Sequence, residues 1–246
     1  MDWLLVIPAR YKSSRLPGKP LIELHGVPML KRTYLRCIEE IDPSKVVVAT
    51  DDERIEAYCR QENIAVIMTP GDCLTGTDRV ACVAKLRSAD YYINVQGDEP
   101  LINPQDISRV IEAAYEHPGD IVNGVAKISD EELYRSPTMP KAVMRPDGRL
   151  LYMSRAPIPS NKSQEFVRAW RQICIYAFPR DALFAFASVQ RKTPLEEMED
   201  IELLRFLELG YEVRMVILSD ESLPVDVPED IVRVEKEIAR RSLVDV

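Results

Sequence analysis

The residues that could do chemistry fall into a basic loop and two acids. Arg10, Lys12, Arg15 and Lys19 lie within ten residues with no acid among them, although the chain as a whole carries a formal net charge of -8. One charge sign concentrated against the net sign, just after an apolar run at residues 3–7, points to an anion site. A solvated loop would have no need to gather charge in this way. Pro8, Pro17 and Pro20 stiffen the segment, and Gly18 lets backbone approach a ligand. The acids are Asp98, in Gln96-Gly97-Asp98-Glu99-Pro100, and Asp226, in Val225-Asp226-Val227-Pro228. Each follows a strand pattern and precedes a helix pattern. Taken alone, Asp226 reads as a helix cap, because Pro228 suits a first helical turn, and Asp98 reads as a turn acid. Beside a basic loop, the two together fit Mg²⁺, which takes one or two protein carboxylates and fills its octahedron with phosphates and waters.

The elements that must position these groups alternate. Strand patterns are expected at residues 3–7, 45–49, 65–68, 91–95 and 121–128. Helical patterns are expected at 27–41, 52–63, 77–88 and 104–116, the third of them capped by Thr75 or Thr77. This alternation implies right-handed βαβ units, a parallel sheet covered on both faces, and a ligand site beyond the strands' carboxyl ends. The second half changes character. Pro146-Asp147-Gly148 marks a hairpin between 141–145 and 149–154, which begins an excursion from the sheet. Residues 156–168 read as a mobile loop, 172–178 as a buried strand, 179–189 and 194–209 as helices, 212–217 as a strand and 228–240 as a closing helix. No linker divides the chain, so residues 1–246 read as one domain, with the excursion at about 130–190.

Several function classes drop out. There is no GxxxxGK[ST] and no GxGxxG after a strand, so neither a P-loop enzyme nor a dinucleotide dehydrogenase is supported. Nine glycines leave no glycine-rich phosphate cradle, so cationic side chains and a few amides must do the gripping. His25 and His117, the two histidines, have no neighbouring Asp/Ser arrangement for a triad. The acidic balance argues against nucleic-acid binding. Five cysteines without a CxxC pair suit a reducing compartment. With no long apolar segment and no leader-like start, the expectation is a cytoplasmic protein that does not insert in membranes.

The strings IPARYKSSRLPGKPL, ATDD, GTDRVA, NVQGDEPLI, LYMSRAPIP, IYAF, ELLRFLELGY and VDVPED resemble, in order and spacing, the CMP-Kdo synthetases (3-deoxy-manno-octulosonate cytidylyltransferases). The resemblance covers nearly the whole chain. It implies an α/β, Rossmann-like nucleotidyltransferase fold with a β-hairpin dimerisation excursion, a homodimer, and Mg²⁺ as cofactor. It implies that CTP and a 2-keto-3-deoxy sugar acid, Kdo first among them, give a CMP-sugar and pyrophosphate, for lipopolysaccharide or another glycan. By that likeness Arg10, Arg15 and Lys19 would hold the CTP phosphates, and Ala9, Ser13 and Gln96 would shape the cytosine pocket. Asp98 and Asp226 would hold Mg²⁺. Arg155, Gln172, Tyr176 and Glu202 would face the sugar, and Arg10, Lys19 and Asp98 would be catalytic. Two positions depart from the family pattern: Gln172 stands where the family writes His, and Leu203 where it writes Gln. Both are associated with the sugar side, so an amino-Kdo or a nonulosonic acid is the alternative acceptor. A binding protein that kept the fold without the reaction is a third reading. Release of pyrophosphate with CTP, Mg²⁺ and a panel of sugar acids separates the three.

Overall fold

A computed structural model of the chain describes residues 1–12 and 16–242. Strand β1 (Trp3–Pro8) leads through the first loop to the small ribbon β2 (Glu23–Leu24) and β3 (Val27–Pro28), then to α1 (Met29–Ile38). There follow β4 (Val46–Thr50), α2 (Glu53–Gln61), β5 (Val66–Met68), α3 (Gly76–Leu86), β6 (Tyr91–Val95), α4 (Pro104–Glu116) and β7 (Ile121–Lys127). The excursion comprises α5 (Glu131–Arg135), β8 (Lys141–Met144) and β9 (Leu150–Ser154). The chain returns through β10 (Trp170–Pro179), α6 (Arg180–Ser188), α7 (Pro194–Glu199), α8 (Leu203–Glu208), β11 (Val213–Ile217) and α9 (Pro228–Ser242).

The main sheet has the order β11-β7-β10-β6-β1-β4-β5. Neighbours pair in parallel except around β10, which runs antiparallel to both β6 and β7. Strands such as β4 and β6 are buried along their whole length, as expected for strands covered on both faces. One face is packed by α1, α2 and α4 through Leu30, Tyr34, Ile55, Ile107 and Val110. The other is packed by α3, α6 and α8 through Val80, Ala84, Leu183, Phe186, Leu204 and Phe206. The α/β architecture with helices on both faces is the expected one. Among the described residues no helix is long and apolar enough to cross a membrane.

Four local features differ from the sequence pattern. The antiparallel β10 sits inside the sheet rather than extending the parallel series, and its amino end also pairs with β8 beyond the point where β6 stops. Helix α1 begins at Met29 because Val27 and Pro28 pair back on Leu24 and Glu23. A short helix, α5, appears where no periodicity announced one. It is capped by Asp130 and anchored by the buried Tyr134, whose hydroxyl donates to the Pro159 carbonyl at 2.9 Å. Residues 156–168, read from sequence as a loop, have no regular structure, and Phe166 packs on the Tyr134 ring at 5.2 Å.

The fourth difference matters for the site. The helical pattern over 194–209 breaks into α7 and α8 at Asp200, which takes a left-handed φ of 53°. The break lets Ile201 enter the core and turns Glu202 toward α3. Arg205, fully buried on α8, holds the break together. It makes a bidentate pair with Glu196 of α7 at 2.6 and 2.7 Å, meets Asp78 of α3 at 3.2 Å, and lies over the Phe186 ring at 3.6 Å. Removing one member of such a buried pair leaves the other charge uncompensated. Arg205→Ala is therefore expected to lose about 3–5 kcal/mol of stability in urea unfolding. Arg240→Ala, which breaks an exposed pair, is expected to lose no more than about 1 kcal/mol.

Candidate active site

The first loop starts at the end of β1, where Ala9 is buried and its amide donates to the Ala49 carbonyl at 2.8 Å. Arg10 and Lys12 are exposed. The loop is closed by the Gly18 amide donating to the Tyr11 carbonyl at 2.9 Å. Gly18 has φ +72°, and a Cβ there would meet the Tyr11 hydroxyl at 3.0 Å, so both the turn and the tight approach require glycine. The Arg54 guanidinium lies 3.3 Å from the centroid of the other side of this contact, the Tyr11 ring. Ser13 and Arg15, assigned from sequence to the nucleotide, lie outside the described residues.

Lys19 follows, in a short 3-10 turn over Lys19–Leu21. Its ammonium donates to Asp98 at 2.5 Å and to Asp226 at 3.1 Å. Asp98 comes from the turn after β6 and Asp226 from the turn before α9, and the two turns are joined by the Val225 amide donating to the Asp98 carbonyl at 3.0 Å. The predicted pair of carboxylates is thus assembled, and a cation from the basic loop sits between them. Burial alone would push the Lys19 ammonium down, but the two carboxylates outweigh it and its pKa is raised above the ordinary value. Lys19 is a firm cation at neutral pH.

The neighbouring acid, Glu99, has a different task. It is buried, and it accepts a hydrogen bond from the Ser222 hydroxyl. Burial and then the Asp98 charge push its carboxyl up to about 7. Among the described residues no group of three His, Cys, Asp or Glu side chains converges as a complete protein metal cage. Two hard carboxylates converging on one cationic point fit an ion that takes its remaining ligands from phosphate and water.

Gln96, two residues before Asp98, is half-buried and lies against the start of α3. A Cβ on Gly76 would come within 2.9 Å of the Gln96 amide nitrogen. Thr75 caps α3 in a reciprocal box with Asp78. The first two amides of α3, Gly76 and Thr77, donate to the Glu202 carboxylate at 3.3 and 2.9 Å. Burial pushes the Glu202 carboxyl upward in pKa against the opposing pull of these donors. Glu202 therefore reaches the same sheet edge as Gln96, held there by the positive end of a helix.

Gln172 and Tyr176, both assigned to the sugar by the family likeness, lie in contact on β10. The Gln172 side-chain amide donates to the Tyr176 hydroxyl at 3.3 Å and to the Asn123 side-chain carbonyl at 3.2 Å. Asn123 in turn donates to the Ile173 and Ile175 carbonyls, fixing an irregularity in β10 between Ile173 and Tyr176. Across the sheet, Asn94, Tyr176 and Asn123 stand in register on adjacent strands. Asn123 and Asn94 were not singled out from sequence, since an Asn within an apolar strand carries no motif. Asn94 is fully buried, and among the described residues neither of its amide atoms has a hydrogen-bond partner.

Leu203 is a core residue, 1% exposed, and packs with Leu204 and Phe206. Arg155 is tied elsewhere. Its guanidinium donates to the carbonyls of Glu199, Pro137, Thr138 and Asp200 at 2.6–3.3 Å, and a sugar carboxylate reaching it would compete with all four. Beside it, the buried Lys141 donates to the carbonyls of Ser136, Met139 and Arg155 at 2.6–2.8 Å. These two cations organise the excursion where it adjoins Glu199 and Asp200, a role with no sequence signal.

The cytidylyltransferase family model matches residues 4–217. The 3-deoxy-manno-octulosonate cytidylyltransferase of Syntrophotalea carbinolica is 42% identical over 246 residues, covering 96% of this chain and 98% of that protein. The 8-amino-3,8-dideoxy-manno-octulosonate cytidylyltransferase of Shewanella oneidensis is 38% identical over 97% of this chain and 99% of that protein. A solved CMP:2-keto-3-deoxy-manno-octonic acid synthetase complexed with CTP superposes with a TM-score of 0.90 at 35% identity, covering 98% of this chain and all of that one.

The Lys141 environment gives a pH expectation. Burial first, and then Arg155, lower its pKa to about 8, below its ordinary 10.5. Between those values the unfolded chain binds more protons than the folded one, so this group makes stability rise with pH across that window. Lys141→Met should remove roughly 3 kcal/mol of that rise, read as the change in urea-unfolding free energy between pH 7.5 and pH 10.5.

Proposed function

The chain belongs to the cytidylyltransferase family, and from that premise we propose that it transfers CMP from CTP to the anomeric hydroxyl of a 2-keto-3-deoxy sugar acid, with Kdo the first candidate. The observation that carries this reading is the convergence of Lys19, Asp98 and Asp226 beside Ala9 and Gln96, at the edge where a parallel sheet receives ligands.

In this reading the anomeric oxygen attacks the α-phosphorus. A new O–P bond forms, the bond to the β-phosphate oxygen breaks, and pyrophosphate leaves with its electron pair, while the hydroxyl proton passes to solvent. Both reactants are anions, so the task is charge neutralisation and alignment. Lys19, held cationic between two acids, and the exposed Arg10 supply positive charge at the mouth of the first loop. Arg15 and Ser13 are assigned to the phosphates and the base by the family likeness alone. Ala9 and Gln96 line the floor on which the base would rest. Asp98 and Asp226 would hold Mg²⁺, which supplies phosphate neutralisation and polarises the phosphorus when bound. Glu99, beside Asp98, accepts from the Ser222 hydroxyl, and its raised pKa lessens the negative charge it adds next to Asp98.

Gln172, Tyr176 and Glu202 form the polar side that would meet the acid sugar, with Asn94 of β6 in register with Tyr176. An amino-Kdo is the second acceptor to test, because the similarity to the Shewanella oneidensis protein nearly equals that to the Kdo-named relatives. The product would feed lipopolysaccharide or another glycan built from such acids. Free cysteines suit a reducing cytoplasm. Exposed Leu151 and Val167, on β9 and the following loop, and Met198 on the adjoining α7, offer apolar surface for a homodimer built around the excursion.

Pyrophosphate release should require CTP, Mg²⁺ and one of the two octulosonates, and should stop with EDTA. Lys19→Ala and Asp98→Asn should each lower kcat by about 10²-fold or more while moving Tm by only a few degrees. Full activity in either variant would remove the proposed roles. Sedimentation should show a dimer for the natural chain and a monomer for the Leu151→Arg, Met198→Arg double variant.

A further inference from the structure

Cys73 and Cys82 stand apart from the other cysteines. Their sulfurs are 3.7 Å apart, close enough for a thiol–thiol contact, and both residues are partly exposed. Cys37 and Cys59 are buried in the core facing α1 and α2. Cys73 lies in the loop before α3, and Cys82 lies two turns inside that helix. The segment they bracket contains Thr75, Gly76 and Thr77. Thr75 caps α3, Gly76 abuts Gln96, and the amides of Gly76 and Thr77 hold Glu202.

We propose that Cys73 and Cys82 form an oxidisable pair whose disulfide displaces the start of α3 and so lowers turnover at the adjoining site. The sulfurs must close from 3.7 Å to about 2.05 Å with a fixed disulfide dihedral, so the two side chains and the short loop that carries Cys73 have to readjust together. That readjustment falls on a segment already in close contact with the candidate site. Gly76 already faces Gln96 so closely that one added methyl would stand 2.9 Å from it. Misplacing a positioning group by about 1 Å can cost about 10²-fold in rate.

The chemistry balances with a low-molecular-weight disulfide such as glutathione disulfide as oxidant. One protein thiolate attacks the disulfide and expels one glutathione thiolate. The second protein thiolate then attacks the mixed disulfide and expels the other. One protein S–S bond forms, one glutathione S–S bond breaks, and the two thiol protons end on the two released glutathiones. Burial, and then the adjacent Cys82, push the Cys73 thiol up to about 12, so little thiolate is present and exchange is run slowly, at mildly alkaline pH with excess glutathione disulfide.

The effect on turnover rests on the proposed cytidylyltransferase reaction, and the covalent link does not. Native protein treated with glutathione disulfide at pH 8.5 is alkylated and digested with trypsin. The expected product joins the peptide ending at Arg79 to the one ending at Lys85, with two of the five thiols lost. Pyrophosphate release by the oxidised protein should fall at least about tenfold and return with dithiothreitol. Cys82→Ser should keep the reduced activity, form no link and show no loss. Absence of the linked peptide, undiminished turnover in the linked protein, or an equal loss in Cys82→Ser would each overturn the proposal. Inactivity of the reduced natural protein toward every acid tested would instead count against the reaction, leaving the peptide result to judge the pair.

Discussion

The meeting of the Lys19 ammonium with the Asp98 and Asp226 carboxylates is the contact on which the site depends. It joins three distant pieces of chain: the first loop, the turn after β6 and the turn before α9. Like charges from two turns would otherwise repel at close range. A partly buried cation offsets that repulsion, and its own desolvation cost is offset by two partners rather than one. The Val225–Asp98 backbone bond then sets the spacing of the two turns, and the Glu99–Ser222 bond secures the same region from below. The arrangement holds the two carboxylates in a defined shape around the Lys19 ammonium.

A second assembly meets this one across the sheet edge. Antiparallel β10 brings its amino end to the edge where its parallel neighbours bring their carboxyl ends, so Gln172 lies near the turn that holds Asp98. Glu202 arrives from the opposite layer because α7 and α8 are broken at Asp200, and α3 fixes its carboxylate with two amides. Arg205 stabilises that break through a buried network that reaches α3 as well. The half built from Lys19, Asp98 and Gln96 therefore rests on segments that follow parallel strands. The half built from Gln172, Tyr176 and Glu202 rests on a reversed strand and an interrupted helix, elements less constrained by βαβ topology.

The basic loop, the two acids and the alternation of elements were legible because each leaves a local mark: charge against the net sign, an acid in a strand-to-helix turn, a run of β-branched residues. Glu202 was legible only as a residue, since the helical period ran through Asp200 without a glycine or proline to announce a break. Arg155 shows the converse. Its motif assigns it to the sugar, while the fold gives its donors to four backbone carbonyls. Lys141 and Asn123 carry no motif at all, and their roles come from carbonyls that only a particular chain path brings within reach.

By itself the sequence determined the α/β class, the sheet edge that carries the site, the hairpin excursion and the identity of the charged groups. These follow from period, turn chemistry and charge, which act over a few residues. Tertiary structure alone decided that Lys19 bridges Asp98 and Asp226, that β10 runs against its neighbours, and that Leu203 is core while Glu202 turns to α3. Each of these joins residues far apart in the chain. Their geometry is fixed by which polar groups find partners once the apolar faces have closed, and no local pattern encodes that choice.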